Sequence, residues 1–243
     1  MNIGFQRIIP TPTYPAGITI VTLSALPWTS KAGVVIQFKE SVKQALREVQ
    51  LGRCCFCRRR LGDNGDTDLE HFVDKEVFKE FSFDVRNLAL TCGTCNTKKN
   101  GTFSSWRAKM ARRPLGFIGP RPRNCPVMSV TVHKGDAFPT STDHFRWVNP
   151  HLHNYSEHIA VEKSWVFRGI TPTGRRTVRG LKLNDLGDVE RRALYETLEM
   201  RGGRISMLFG AAAQLEQHRA SDVLIAVAKA LTRRRLAASA VPK

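Results

Sequence analysis

Two cysteine pairs, Cys54-Cys55-Phe56-Cys57 and Cys92-Gly93-Thr94-Cys95, constrain this chain more than any other feature. At a spacing of two intervening residues, a tight knuckle can point both sulfurs of a pair at one ion. Four thiolates from Cys54, Cys57, Cys92 and Cys95 complete the tetrahedral shell of Zn²⁺ and leave no open position, so the site is expected to be structural rather than catalytic. The 34 residues between the pairs exceed the interval of a short zinc finger, which suits a staple tying together the two ends of an inserted unit. The alternatives are chance pairs, a redox motif or disulfides, but paired spacing in a chain without a secretion-signal pattern points to metal. Cys55 cannot share the knuckle geometry and is the spare neighbour. Cys125, beside Pro126, reads as a free surface or packing thiol.

Between the pairs lie Leu69-Glu70-His71-Phe72-Val73-Asp74-Lys75 and Arg86-Asn87-Leu88-Ala89-Leu90, and the second pair runs straight into Asn96-Thr97-Lys98-Lys99-Asn100. Adjacent acid and histidine on a strand project to opposite faces, or splay at its end, so one can hold a metal while the other reaches a water. Hydrolysis of a phosphodiester needs such a division: a base for the water, a hard cation for the phosphate and the leaving 3′ oxygen, and a group that fixes the imidazole tautomer. The order Cys-x-x-Cys, Glu-His, Asn-Leu, Cys-x-x-Cys-Asn-x-x-Lys, covering residues 54–100, resembles the HNH nucleases, whose active unit is a ββα-metal (His-Me) finger. That resemblance implies His71 as general base, Glu70 and Asn96 as ligands of a catalytic metal, and Asn87 as the residue that orients the base. It further implies Lys99 near the scissile or a neighbouring phosphate. Many members carry Asp where this chain has Glu70, and His where it has Asn96; oxygen donors from Glu and Asn suit Mg²⁺ or Mn²⁺ better than zinc. Two different metals in one domain are therefore expected.

Charge supports a polyanionic partner. Lys and Arg number 38 against 21 Asp and Glu, for a formal charge of +17, an excess that favours nucleic acid through phosphate contacts and counterion release. A basic face for an acidic protein is the blander reading. The apolar run Ile18–Leu26 is too short to span a bilayer and lies between Pro15 and Pro27, so no membrane association and a cytoplasmic location are expected.

The expected fold class is α+β: a zinc-stapled ββα finger with mainly helical N- and C-terminal additions. Residues 1–50 would form an extended arm or edge strand followed by a helix from Gly33 to Gln50, with Val35, Phe38, Val42 and Leu46 among its apolar positions and Gly52 ending it. Residues 51–112 would be the nuclease core, closing with a helix from Asn96 to about Arg112. Residues 113–142 read as a basic, proline-rich connection. Residues 143–243 would hold a short strand pair around Trp165-Val166-Phe167, then one helix capped by Asn184 or Asp185 and another from about Ile205 to Leu236. His144, His151, His153 and His158, with Asp143, Asn149 and Glu157, could form a second metal site, though polar packing or a partner surface suits their irregular spacing better.

The whole-chain layout resembles the HNH nuclease subunit of Septu-type and retron-linked anti-phage defence systems. This implies an ATPase protein partner, with the C-terminal helices as its platform and Arg175, Arg176, Arg179, Arg191 and Arg192 shared between that interface and nucleic acid, unless they form only a solvated basic face. The leading functional reading is a metal-dependent endonuclease acting on DNA, with RNA less favoured. The competing reading is a non-catalytic treble-clef zinc module that binds nucleic acid or protein through the same four cysteines.

Overall fold

The computed structural model describes residues 3–62, 67–111, 125–162 and 165–185, together with Gly187, Ile225 and Lys229. The chain divides into two compact units, Met1–Val189 and Glu190–Lys243. The helices expected after Asn184 lie outside the described residues, as do residues 112–124 of the proline-rich connection. The described part is mixed α and β, with two small antiparallel sheets and one continuous apolar core.

Of the two expectations for the N-terminal segment, an extended arm or an edge strand, the described residues form an arm and no strand. The arm follows an irregular path with one short helix, α1 (Ile20–Ser24), capped by the Thr19 hydroxyl. Its backbone bonds are made to distant loops: Ile8 N–H donates to the Pro150 carbonyl and Tyr155 N–H to that of Gln6. Phe5, Ile8, Ile18 and Leu23 are buried, so apolar anchoring fixes the arm without a ladder.

Helix α2 (Gly33–Val49) matches the sequence reading closely, burying Val35, Phe38, Val42 and Leu46 as one stripe. It stops where Gly52 adopts a positive φ of 61° and its N–H reaches back to the Arg47 carbonyl at 2.8 Å, a left-handed ending that suits glycine. Just past the end, Gln50 has no exposed surface. Its side chain accepts from Leu90 N–H (2.7 Å) and donates to the Leu90 carbonyl (3.0 Å), covering the outer edge of the next sheet as a strand would.

That sheet pairs β1 (Thr67–His71) with β2 (Leu88–Cys92), in a register that sets Glu70 opposite Ala89 and His71 opposite Leu88. β2 is buried at every position. Helix α3 (Gly93–Ala111) follows it without a linker and so begins three residues before the expected start at Asn96. Its buried stripe is Cys95, Lys99 and Phe103, four residues apart, so a thiol, an ammonium and a ring share the face turned to the sheet.

Residues 125–142 are irregular, as expected, but Cys125, Val127, Met128, Val132 and Phe138 are all buried, which makes this stretch part of the core. A short helix α4 (Tyr155–His158) leads into the hairpin β3 (Ile159–Val161) and β4 (Phe167–Gly169), in agreement with the strand pair read from Trp165 to Phe167. Helix α5 (Pro172–Gly180) then packs against it, with Thr171 as its cap and Pro172 in its first turn. No helix among the described residues is long and apolar enough to cross a membrane.

Candidate active site and metal centre

The four expected thiol ligands converge. The Sγ atoms of Cys54, Cys57, Cys92 and Cys95 all lie within 4.8 Å of one another and are buried. Cys57 and Cys92 are 3.8 Å apart, close to the tetrahedral edge of about 3.8 Å that follows from Zn–S bonds of about 2.3 Å. One pair comes from the loop after α2. The other straddles the junction of β2 and α3, where the first helical turn brings Cys95 back beside Cys92.

Electrostatics agree with the geometry. Burial opposes ionisation of the Cys54 thiol, yet hydrogen bonds from Cys55, Cys57, Cys92 and Cys95 bring it well below the usual thiol range. The thiols of Cys92 and Cys95 are pushed up, first of all by their hydrogen bonds to Cys54. Four thiols this close cannot all ionise without a cation, and the donor set fits zinc. Cys55 is buried and its thiol raised by burial, as befits a spare neighbour. Cys125 is a packing thiol, not a surface one, pushed up to about 11 by burial.

His71 ends β1. Its Nε2 lies 2.9 Å from the Ser82 carbonyl; a carbonyl only accepts, so Nε2 carries the ring proton and Nδ1 keeps its lone pair. Among the described residues nothing bonds Nδ1. The residue is 6% exposed, and its ring meets the Trp28 indole edge-on at 4.3 Å. Burial holds its pKa down to about 3, with Lys75, Lys99 and Lys39 adding to the effect and the Ser82 bond opposing it. The imidazole is therefore neutral at physiological pH.

Asn87 is fully buried and ties the loop between the strands. Its Oδ1 accepts from Val73 N–H (2.6 Å), and its Nδ2 donates to the carbonyls of Val73 (3.2 Å) and Phe81 (3.0 Å). It makes no hydrogen bond to His71, but it fixes the backbone immediately before Ser82, whose carbonyl does. Outside the loop, Tyr14 donates to the Phe83 carbonyl at 2.9 Å, and Trp28 and Phe38 pack on the Phe83 ring.

Glu70 points the other way, towards α3, where it forms a buried ion pair with Lys99. Burial raises the Glu70 carboxyl and Lys99 works against that rise. Lys99 is 1% exposed, donates to the His71 carbonyl at 2.6 Å and lies 3.9 Å from the Phe103 ring centre. In this arrangement its ammonium serves the strand, not an outside phosphate. Asn96 donates to Asp68 (2.9 Å) and accepts from Asn100 (3.0 Å). Asp74, at the loop start, pairs with Arg107 further along α3. Three carboxylates on or beside β1 thus face three polar side chains on one helix, and Asp68, Glu70 and Asn96 bring oxygen donors to one face, the donor chemistry of a hard cation.

Some participants carried no mark in the one-dimensional pattern. Asp68 could have been found, because it lies two residues before Glu70 on a strand and so shares its face. Trp28 and the Ser82 carbonyl could not, since both arrive from loops. Arg58, directly after the first pair, is fully buried with its guanidinium between the rings of Phe5 (3.7 Å) and Tyr155 (4.1 Å), and burial lowers it to about 10.

The later histidines do not assemble a metal site. Among the described residues, the four cysteines are the one group of three or more His, Cys, Asp or Glu side chains close enough to share an ion, and no histidine belongs to it. His151 Nε2 bonds the Leu88 carbonyl at 2.8 Å, His153 Nδ1 accepts from Asn149 N–H, and His158 Nδ1 pairs with the Thr171 hydroxyl. They are packing groups, in line with the blander expectation.

Comparison with known proteins gives one partial similarity. A stretch of 68 residues is 35% identical to the Septu protein PtuB of Bacillus thuringiensis, covering 28% of this chain and 26% of that protein. The match thus spans about a quarter of the relative's length. No protein-family profile matches the chain, and no solved structure does.

Proposed function

We propose that this chain is a metal-dependent endonuclease of the HNH kind, acting on DNA in preference to RNA, and that it is the effector nuclease of a Septu-type anti-phage defence complex. The observation that carries the reading is the tautomer of His71. A neutral imidazole whose Nε2–H is spent on the Ser82 carbonyl presents a basic Nδ1, the state a general base needs. The β1–β2–α3 order, with the four-cysteine staple at its base, supports a ββα-metal finger, and the partial similarity to a Septu protein supports the defence setting.

In this reading a water donates its proton to His71 Nδ1 as its oxygen attacks phosphorus, and the bond from phosphorus to the 3′ oxygen breaks. Burial above all, with nearby lysines adding to it, makes the isolated ring a weak base; a bound phosphate, being anionic, opposes the lysine contribution and raises its proton affinity. Glu70 and Asn96, with Asp68 beside them, would hold a Mg²⁺ or Mn²⁺ ion, which supplies neutralisation of the phosphate and leaving oxygen. Asn87 keeps the Ser82 carbonyl in place and so orients the base. Zinc at the four cysteines has no open position and takes no chemical role. The second unit, residues 190–243, belongs to the region assigned to an ATPase partner that licenses cutting.

A non-catalytic zinc module is the second reading. It is favoured by the internal engagement of Glu70, Lys99 and Asn96 and by the cover of Trp28 over His71. Cleavage of plasmid and single-stranded DNA by zinc-loaded wild type and His71→Ala, in Mg²⁺, Mn²⁺ or EDTA and with and without the ATPase partner, separates the two. The nuclease reading expects cutting that needs both added metal and His71, with zinc content equal in both proteins. Metal-independent cutting, or none even with the partner, returns the chain to the binding module.

A further inference from the structure

Helix α3 carries a second face that the proposed chemistry does not use. Lys98, Gly101 and Lys109 lie along it, with Trp106 at its side, and together with Pro126 and Lys182 they wall an open cleft of about 520 Å³. That volume is in the range of ligand-binding clefts, roughly 300–1,000 Å³. No carboxylate lines it. Lys98 is held by the Lys182 carbonyl (3.0 Å) and by Asp185 (3.2 Å), while Lys109 and Lys182 are exposed and, among the described residues, form no ion pair.

Two side-chain features give the cleft a shape as well as a charge. The Trp106 indole is half-buried and, among the described residues, has no other ring against it. Gly101 sits in the middle of a long helix, where glycine is a poorer helix former than alanine. A Cβ built there meets nothing within 4 Å, so no packing inside the protein demands glycine. Its effect is to leave the floor of the cleft open.

We propose that this cleft is a track for single-stranded nucleic acid, with a base stacked on Trp106 and the flanking phosphates on Lys98, Lys109 and Lys182. Stacking selects unpaired strands, because duplex bases hide their faces from a side chain, whereas lysines alone would accept either form. An apolar peptide would gain nothing from three ammonium groups around one indole. The track lies on the helix that also carries Lys99, which bonds the His71 carbonyl, so one element would serve both the strand and the proposed active site. In that respect the inference rests on the nuclease reading, but the binding it describes does not require cleavage.

The test is fluorescence anisotropy with full-length, zinc-loaded His71→Ala protein and a labelled oligothymidine of about 15 nucleotides, set against a blunt duplex of equal length. The single strand should bind at least about tenfold tighter than the duplex. Trp106→Ala and Gly101→Leu, the latter placing a bulky side chain on the floor of the cleft, should each weaken it by about 5- to 100-fold. Gly101→Ala, which adds one methyl group, should bind like its parent. Absence of single-strand binding, equal affinity for duplex, or parental affinity in both Trp106→Ala and Gly101→Leu would overturn the track. Cleavage that depends on His71 while these variants bind normally would sink the track and spare the nuclease; the reverse pattern would do the opposite.

Discussion

Asn87 shows how much a single amide can decide. A fully buried side chain that satisfies Val73 N–H and the carbonyls of Val73 and Phe81 has no solvent to replace it if it is lost. Asn87→Ala is therefore expected to cost about 3 kcal/mol or more, from stranded buried groups, and urea denaturation measures it directly. The same variant should lower cleavage beyond its effect on folding, because the loop that presents the Ser82 carbonyl loses its tie. Cleavage that stays at the wild-type rate under conditions where the variant is fully folded would remove Asn87 from the orientation of His71. Glu70 and Lys99 illustrate the complementary point: their pairing is buried, so deleting either partner leaves a charge without compensation.

Among the elements, the junction of β2 and α3 bears the greatest load. It contributes two of the four thiols, and α3 is also held to β1 and the following loop through Asp68–Asn96, Glu70–Lys99 and Asp74–Arg107. Zinc held here would contribute folding free energy directly, since the ligand set does not exist in an unfolded chain. Cys95→Ser should lose zinc and melt the β1–β2–α3 unit, seen as a loss of helical circular dichroism together with metal content. His71→Ala should keep both. A Cys95→Ser protein that stays folded and zinc-free would disprove the staple.

Across the whole first unit, the C-terminal half is tied to the sheet by His151, which crosses to the Leu88 carbonyl, and to the first cysteine loop by Tyr155, which donates to the Phe56 carbonyl at 2.7 Å. Burial lowers the His151 pKa to about 4, and His153 behaves alike. The unfolded chain takes a proton near the ordinary value of about 6.5 that the folded protein refuses until about 4. Stability is therefore complete above about pH 6.5 and falls as pH drops towards 4, by up to about 1.4 kcal/mol per pH unit for His151. Urea midpoints between pH 7 and pH 5, taken where zinc content is constant, should follow this slope. The slope should be shallower in His151→Gln; an identical slope would rule out His151 as its source.

What could be read along the chain was whatever depends on local spacing. The cysteine pairs needed only their two-residue gaps, α2 its apolar stripe, and the Trp165 hairpin its short alternation. The Glu-His, Asn-Leu and Asn-x-x-Lys pattern marked which residues would gather around β1, β2 and α3. Tertiary structure decided where each side chain turned. Glu70 faces α3 because neighbouring strand residues alternate, and once there it is neutralised by Lys99, a lysine that spacing alone would have left in solvent. Trp28 reached His71 from an arm whose irregular path is set by long-range burial rather than by any local period. The proton on His71 Nε2 was fixed by a carbonyl 11 residues away, and no side-chain pattern encodes where a backbone carbonyl will point.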